Sequence, residues 1–576
     1  MKKHYRVRNH KVTDHNYTLV DDIGAYIELL ASHGSRTMFV WKEKGERKEI
    51  TYGEFTDVTR RLSMGLLKTF GDEDKANVKI AVIGETSPRW FASYLAIMAA
   101  GYVVVPMDKE FAPEEVSGFL NFAGISAVVY APSWEEPLRQ IAVGHDSLKL
   151  LIPMRAPEET AADVRMLPFD ALCERGGECL ADGAVFEADT DTERVAELLF
   201  TSGTTGSSKC VMLCQRNIFA AMKAACQTVD FSGDDVLISV LPLHHTYELT
   251  CTFLAGLNFG MTICINESLR YLTKDFKEYR PTAIVVVPLF VTTMYKKILS
   301  EAKKSGKEKI LLGATKAAHA LSFLGIDMSE KLFRDVRESF GGRLEKMVCG
   351  GAALSPELIP IFETFGISIY EGYGITECSP LVAVTPYFKR KCGSVGPSVP
   401  CCEMRIDGVE TDDKGHVVGE VQVRGDNVML GYMNNDEANE GSYTEDGWYR
   451  TGDVGFMDAE GYITITGRMK SVIVLDNGKN VFPEEIEEYL EDIDLIAESV
   501  VVGREEEDGV HLVAVIYPNY AKYTALQENE FRTEIQKRIT ALNKRLPSFK
   551  QIHKLEFRKT EFEKTTTKKI KRHLVK

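Results

Sequence analysis

The chain has 576 residues, 44% of them apolar, and a formal net charge of −15. That length allows two or more domains and a large buried core, and the ordinary composition excludes the disordered and fibrous classes. The acidic balance argues against nucleic acid as a partner, because a protein that tracks phosphates is normally basic overall.

The basic exception is the tail from Lys564 to Lys576, whose plainest reading is a solvated, partly ordered segment. The twelve cysteines are scattered, with no CxxC pair and no Cys/His spacing of the zinc type, and predict reduced thiols in a cytoplasmic protein. MKKHYRVRNHK at the N-terminus has charge but no apolar stretch behind it, so no signal peptide is expected. The longest apolar run, Tyr94 to Pro106, is too short and too interrupted to span a bilayer, which leaves only peripheral membrane contact open.

Taken in order, ITYGEFTDVTRRLSMGLL predicts a turn feeding an amphipathic helix, with Phe55, Val58, Leu62 and Leu66 on its core face. From Lys79 the runs KIAVIGE, PRWFASYLAIMAAG, YVVVPMD, PEEVSGFLNFAG and SAVVYA alternate β-rich with helical texture, which predicts a βαβαβ unit in a parallel, doubly wound sheet. Pro88 sits where a first helical turn tolerates it, and Gly101 and Gly124 sit where helices stop. A short apolar run, Val195 to Phe200, then leads into TSGTTGSSK.

A second alternation follows: DVLISVLPL, a helix through Phe253 and Leu257, MTICI, AIVVVP, another helix, EKMVCGG and ISIYEGYG. Two such series predict two similar subdomains side by side. Residues 300–345 are charged and mostly helical, an insertion of the lid or packing kind that the sheet itself does not need. From Val399 short strands with glycine turns predict a small β-rich subdomain, and after Arg468 the pattern becomes a compact α/β unit. The boundary is placed at Lys470, dividing the chain into 1–469 and 470–576. The fold class expected is α/β, with a large N-terminal domain and a small C-terminal one.

Six stretches carry chemistry. In TSGTTGSSK, residues Thr201, Ser202, Gly203, Thr204, Thr205, Gly206 and Lys209 combine a pliant backbone with hydroxyl and ammonium donors, a composition suited to phosphate. The glycine spacing is not that of a Walker loop. LPLHHTYE places His244 and His245 at the end of an apolar strand, where ligands gather in α/β sheets, although a histidine pair alone is more commonly structural. YEGYGITE offers glycines for close approach, then Thr376 and Glu377; a carboxylate beside a triphosphate suits Mg²⁺, while a helix-capping pair is the plainer reading. WYRTGDVG holds Asp453 in a turn, and GYITITGRMK brings Arg468 and Lys470. FEKTTTKKIKR closes the chain.

In this order, from about Ile50 to the C-terminus, these motifs resemble the adenylate-forming enzymes: acyl-CoA synthetases, adenylation domains of peptide synthetases and firefly luciferase. The phosphate loop departs from the usual form at Ser208, where proline is common, and at Cys210, where glycine is common. The resemblance implies ATP, Mg²⁺ and CoA. It puts the Thr201–Lys209 loop on pyrophosphate, His245 beside the acyl group with His244 as its variable neighbour, and Thr376 near the α-phosphate. It puts Glu371, Gly372 and Tyr373 over the adenine, Gly351 and Ala352 of CGGAAL on its other wall, and Glu377 on the metal. Asp453 and Arg468 fall on the ribose, Lys470 on the hinge to a mobile C-terminal domain, and Gly478 at the thiol tunnel. Lys569 matches the catalytic lysine, with Lys568 where glycine is usual.

The 300–345 insertion and the tail look most like the bacterial long-chain fatty-acid group. The partners implied are a fatty acid and CoA, with homodimerisation left open. Two rivals stand beside this reading: an enzyme that loads a carrier protein or acts as a free-standing adenylation module, and a non-catalytic acyl-nucleotide sensor.

Overall fold

The computed structural model describes residues 18–71, 73–145, 147–156, 165–201, 209–322, 326–411, 415–475, 480–506, 509–520, 528–564 and 570–575. The helix Tyr52–Phe70 begins on a reciprocal cap, in which the Glu54 N–H donates to Thr51 Oγ1 at 3.2 Å and the Thr51 N–H to Glu54 Oε2 at 2.9 Å. Phe55, Leu62 and Leu66 are buried on one face. Its other close neighbour is the helix Phe169–Ala181. There, Gly65 and Gly176 let the two backbones approach so closely that a Cβ on either would overlap a carbonyl of the other helix, that of Leu172 or Arg61.

The first large sheet has seven strands, in the order Gly431–Tyr432, Lys209–Cys214, Val195–Thr201, Val103–Met107, Lys79–Ile83, Ala127–Tyr130 and Leu150–Pro153. The five from Val195–Thr201 onward in that order are parallel, and the βαβαβ unit falls where its texture predicts. Pro88 opens the helix Pro88–Ala99 behind a Ser87 cap, and Gly124 closes Pro113–Ala123 in the left-handed region at φ 64°. The strand Lys209–Cys214 pairs antiparallel with Val195–Thr201, with Thr201 opposite Lys209.

The second sheet has eight strands, in the order Leu381–Val384, Ser368–Gly374, Lys346–Gly350, Ala283–Val286, Val236–Ser239, Thr262–Ile265, Thr37–Glu43 and Glu46–Thr51. Its six inner strands are parallel and its edges antiparallel. The sheet uses the 300–345 region more than its charge suggests. Helices Pro288–Lys304, Glu308–Ser322 and Arg334–Ser339 lie in the crossover that joins the parallel strands Ala283–Val286 and Lys346–Gly350, and Ala318, Phe333 and Phe340 are buried against that sheet.

A third, antiparallel sheet orders Cys402–Thr411, Val417–Gly425, Tyr449–Met457 and Ile463–Arg468. The C-terminal region builds a three-stranded sheet from Ile496–Glu506, Gly509–Pro518 and Lys554–Phe557, covered by helices Pro483–Glu491 and Glu528–Asn543. The basic tail is tied down at several points. Phe562 is buried with Val500 and Val515, Lys564 pairs with Glu498, and the Arg572 guanidinium pairs with Glu487 of the helix Pro483–Glu491. All twelve cysteines are free thiols, and no described helix is long and apolar enough to cross a membrane.

Candidate active site

The strands of both parallel sheets end toward loops that carry the chemistry-bearing stretches, as α/β topology favours. The strand Ser368–Gly374 delivers Tyr373, whose hydroxyl donates to Asp453 Oδ2 at 2.5 Å. Asp453 and Arg468 face each other across the antiparallel pair Tyr449–Met457 and Ile463–Arg468, and Arg468 Nε lies 3.0 Å from Asp453 Oδ1. Register alone therefore brings these two together. Asp453 is buried, and its charge holds the Arg468 guanidinium above the ordinary arginine range, with smaller contributions from Tyr373 and Glu377.

Glu377 follows on the short turn Thr376–Cys378. Its Oε1 accepts the Tyr432 hydroxyl at 2.8 Å, and that hydroxyl stands 3.2 Å from the Tyr449 hydroxyl. Tyr432 belongs to the two-residue strand added at the edge beside Lys209–Cys214, where it pairs with Val211. The Lys209 ammonium sits 4.2 Å from the centre of the Tyr432 ring. Burial and the neighbouring Lys470 pull the Lys209 ammonium below the ordinary lysine range, and Glu377 opposes them. Lys209, Lys470, Glu377, Tyr373, Asp453 and Arg468, quoted from four separate stretches, thus form one electrostatic neighbourhood.

Tyr373 also lines a small, open-mouthed apolar pocket, together with Val229, Phe231, Tyr247, Val348, Leu381 and Val384 and the backbone of Gly350, Gly351, Gly372 and Gly374. The glycines matter here. A Cβ on Gly350 would stand 2.9 Å from the Gly372 carbonyl and 3.2 Å from the Tyr247 hydroxyl. Gly351, at φ 87°, and Ala352 are exposed on the loop after Lys346–Gly350. Glu371 points its carboxyl at the Gly393 N–H, and burial pushes it up to about 8; its own N–H donates to Thr385 Oγ1 at 2.7 Å.

His245 precedes the turn that starts at Thr246, which continues as a π-helix, Leu249–Leu254. Glu248 anchors this turn from within, accepting Ser239 Oγ at 2.6 Å and Thr252 Oγ1 at 2.8 Å, and burial pushes its carboxyl up to about 7. His244 and His245 have ring centres 4.1 Å apart, and His244 Nε2 is 3.4 Å from Oδ2 of Asp108, which directly follows Val103–Met107 of the other sheet.

Ser202 to Ser208, Gly478, Lys568 and Lys569 lie outside the described residues. Sequence reasoning did not single out Tyr432, Tyr449 or Asp108. Tyr449 stands inside the quoted WYRTGDVG, whereas Tyr432, in NVMLGYMNN, and Asp108 carry no local signal of their partners.

Residues 28–433 match the AMP-binding enzyme family and residues 470–576 its C-terminal domain, so the chain belongs to the AMP-binding enzyme family. Long-chain-fatty-acid–CoA ligase 6 of Mus musculus is 30% identical over 470 residues, covering 76% of this chain and 65% of that protein, slightly less than two thirds of its length. Long-chain-fatty-acid–CoA ligase FadD15 of Mycobacterium bovis is 31% identical over 474 residues, covering 79% of this chain and 75% of that one. Among solved structures, the adenylation domain of a carboxylate reductase from Mycobacterium chelonae superimposes with a TM-score of 0.78 at 21% identity, covering 97% of this chain and 90% of that one. ATP-bound MatB from Rhodopseudomonas palustris gives 0.71 at 23% identity, covering 95% and 98%. These likenesses establish the adenylate-forming fold: a large N-terminal part with mixed sheets and a small C-terminal one.

Proposed function

We propose that the protein is an AMP-forming acid–thiol ligase that activates a long-chain fatty acid and passes the acyl group to CoA. The observation that carries this reading is the convergence of Glu377, Lys209 and the Tyr373–Asp453–Arg468 cluster, whose Tyr373 also lines a small glycine-rimmed apolar pocket. A long-chain acid needs that combination of an apolar slot and a polar, phosphate-holding rim.

In the first step a carboxylate oxygen of the acid attacks the α-phosphorus of ATP. A new P–O bond forms, the bond to the bridging oxygen breaks, and pyrophosphate leaves. In the second step the thiol, shedding its proton, attacks the acyl carbon; the C–S bond forms and the C–O bond to AMP breaks. The protein contributes position and charge rather than a covalent intermediate. The Thr201–Lys209 loop holds pyrophosphate, His245 lies beside the acyl carboxylate, and Thr376 and Lys569 meet the α-phosphate. Gly351 and Ala352 on one side and Glu371, Gly372 and Tyr373 on the other enclose the adenine.

Asp453 takes the ribose hydroxyls. Its two oxygens already accept from Tyr373 and Arg468, but a carboxylate has about four acceptor positions, so a diol still finds partners. Glu377 suits Mg²⁺, which prefers a few carboxylate oxygens together with substrate phosphates, and the Tyr432 hydrogen bond fixes its orientation. When bound, the ion neutralises charge on the transferring phosphates.

The same reading divides the chain into an adenylation domain, 1–469, and a C-terminal domain, 470–576, that turns about Lys470 between the two steps. That rotation would withdraw Lys569 and bring Gly478 to the thiol.

A panel of acids from acetate to stearate, with 4-coumarate included, tests the substrate class by pyrophosphate exchange. The expected result is the highest kcat/KM on the long acids, since each methylene seated in an apolar slot adds about 1–3 kcal/mol. A short or aromatic acid in first place overturns the chain-length assignment and leaves the adenylation chemistry standing. Running the second step with CoA and with a phosphopantetheinylated carrier protein decides the acceptor.

A further inference from the structure

We propose that Asp108, His244 and His245 form a binding site for a divalent transition metal of the zinc class, and that the site is inhibitory. One potential ligand atom from each residue lies within 4.8 Å of the other two. The three come from different places: Asp108 directly follows the strand Val103–Met107 of the seven-stranded sheet, and the two histidines follow a strand of the eight-stranded sheet. A bound ion would clasp the two sheets at the edge of the site already described.

The spacing between Asp108 and His244 favours an ion over a direct bond. A charged Asp–His pair in contact closes to about 2.7–2.9 Å. Here His244 Nε2 is buried, has no hydrogen-bond partner, and stands 3.4 Å from Asp108 Oδ2. Two ligands each about 2.1 Å from one tetrahedral ion stand about 3.4 Å apart. The side chains of Asp108 and His244 are only 4% and 11% exposed, so dehydration of the ligands is largely complete before an ion enters.

Two imidazole nitrogens and one carboxylate are a borderline donor set, preferred by Zn²⁺, Co²⁺ and Ni²⁺, whereas Mg²⁺ favours oxygen. Three protein ligands leave a fourth position open for water or a carboxylate. Inhibition follows because the ion engages the imidazole that the proposed function sets beside the acyl group. That part rests on the proposed function; metal binding itself does not.

Cobalt serves as the probe. The full chain, carrying Cys392→Ser to remove an exposed thiol, is stripped with chelator and titrated with Co²⁺ alone. The expected result is one equivalent bound with the visible bands of low-coordinate cobalt, without thiolate charge transfer, and displaced by Zn²⁺. His244→Gln and Asp108→Asn, each checked for folding by circular dichroism, should each weaken binding at least about tenfold, as loss of a ligand exceeds the effect of a second-sphere change. Pyrophosphate exchange by the unmutated chain should be lost at Zn²⁺ concentrations more than about tenfold below those that affect His244→Gln. Absence of the cobalt spectrum, or its persistence at unchanged affinity in both variants, overturns the site and leaves a plain Asp–His ion pair. Because the spectrum needs no turnover, its failure is distinguishable from failure of the proposed activity.

Discussion

Glu377→Ala is expected to abolish Mg²⁺-dependent adenylate formation, with a loss of at least about 10²–10³ in pyrophosphate exchange, the scale of one charge-stabilising group. The fold should survive. Glu377 is half-buried, and Tyr432, which loses its acceptor there, keeps the Tyr449 hydroxyl 3.2 Å away, so the stability cost is that of one hydrogen bond, about 0.5–1.5 kcal/mol. Glu377→Gln separates the two roles. The amide oxygen can still accept from Tyr432, but the negative charge is gone, so this variant should be as inactive as alanine with wild-type stability. Exchange at the wild-type rate in either variant removes Glu377 from the metal.

The second large effect is a split between the half-reactions. Lys569→Ala should slow acyl-AMP formation by about 10²–10³ and spare thioester formation from supplied acyl-AMP, because the role proposed for the lysine is to neutralise charge that grows only in the first step. Lys470→Pro should do the reverse. Lys470 lies in the turn Met469–Ser471, directly after the strand that carries Arg468, and fixing φ there would restrict the rotation proposed for the thiol step. Lys568→Gly should be nearly neutral in both steps. Pyrophosphate exchange reads the first step, and CoA consumption with synthetic acyl-AMP reads the second. Equal damage to both steps by Lys569→Ala and Lys470→Pro would rule out the two-conformation account, and loss of adenylation in Lys568→Ala would move the catalytic assignment by one residue.

Much of the fold was legible because its causes are local. Period-two and helical alternation, Pro88 at a helix start and Gly124 at a helix end mark the βαβαβ unit without any knowledge of partners. Asp453 and Arg468 were legible as well, since each stands in a quoted motif and the hairpin between them sets their register. The Glu377–Tyr432 bond spans 55 residues and the Tyr373–Asp453 bond 80, and no periodicity reports contacts at such separations. Asp108 meets His244 only because two sheets abut. The tail misled in the opposite direction: its charge suggests solvent, yet Phe562, Lys564 and Arg572 are bound by contacts to strands and a helix far upstream in the chain. The π-helix after Glu248 has no sequence marker either, because the buried Glu248 carboxyl that anchors it reads in sequence as an ordinary surface acid.

The central claim is that a carboxylate becomes linked to AMP before it meets a thiol. Supplying palmitate with both carboxyl oxygens replaced by ¹⁸O, together with ATP, Mg²⁺ and CoA, tests it directly. The mechanism transfers one carboxyl oxygen to the α-phosphate, so the AMP released should carry one ¹⁸O and the thioester should retain the other. Unlabelled AMP, or ADP formed in its place, would contradict the account.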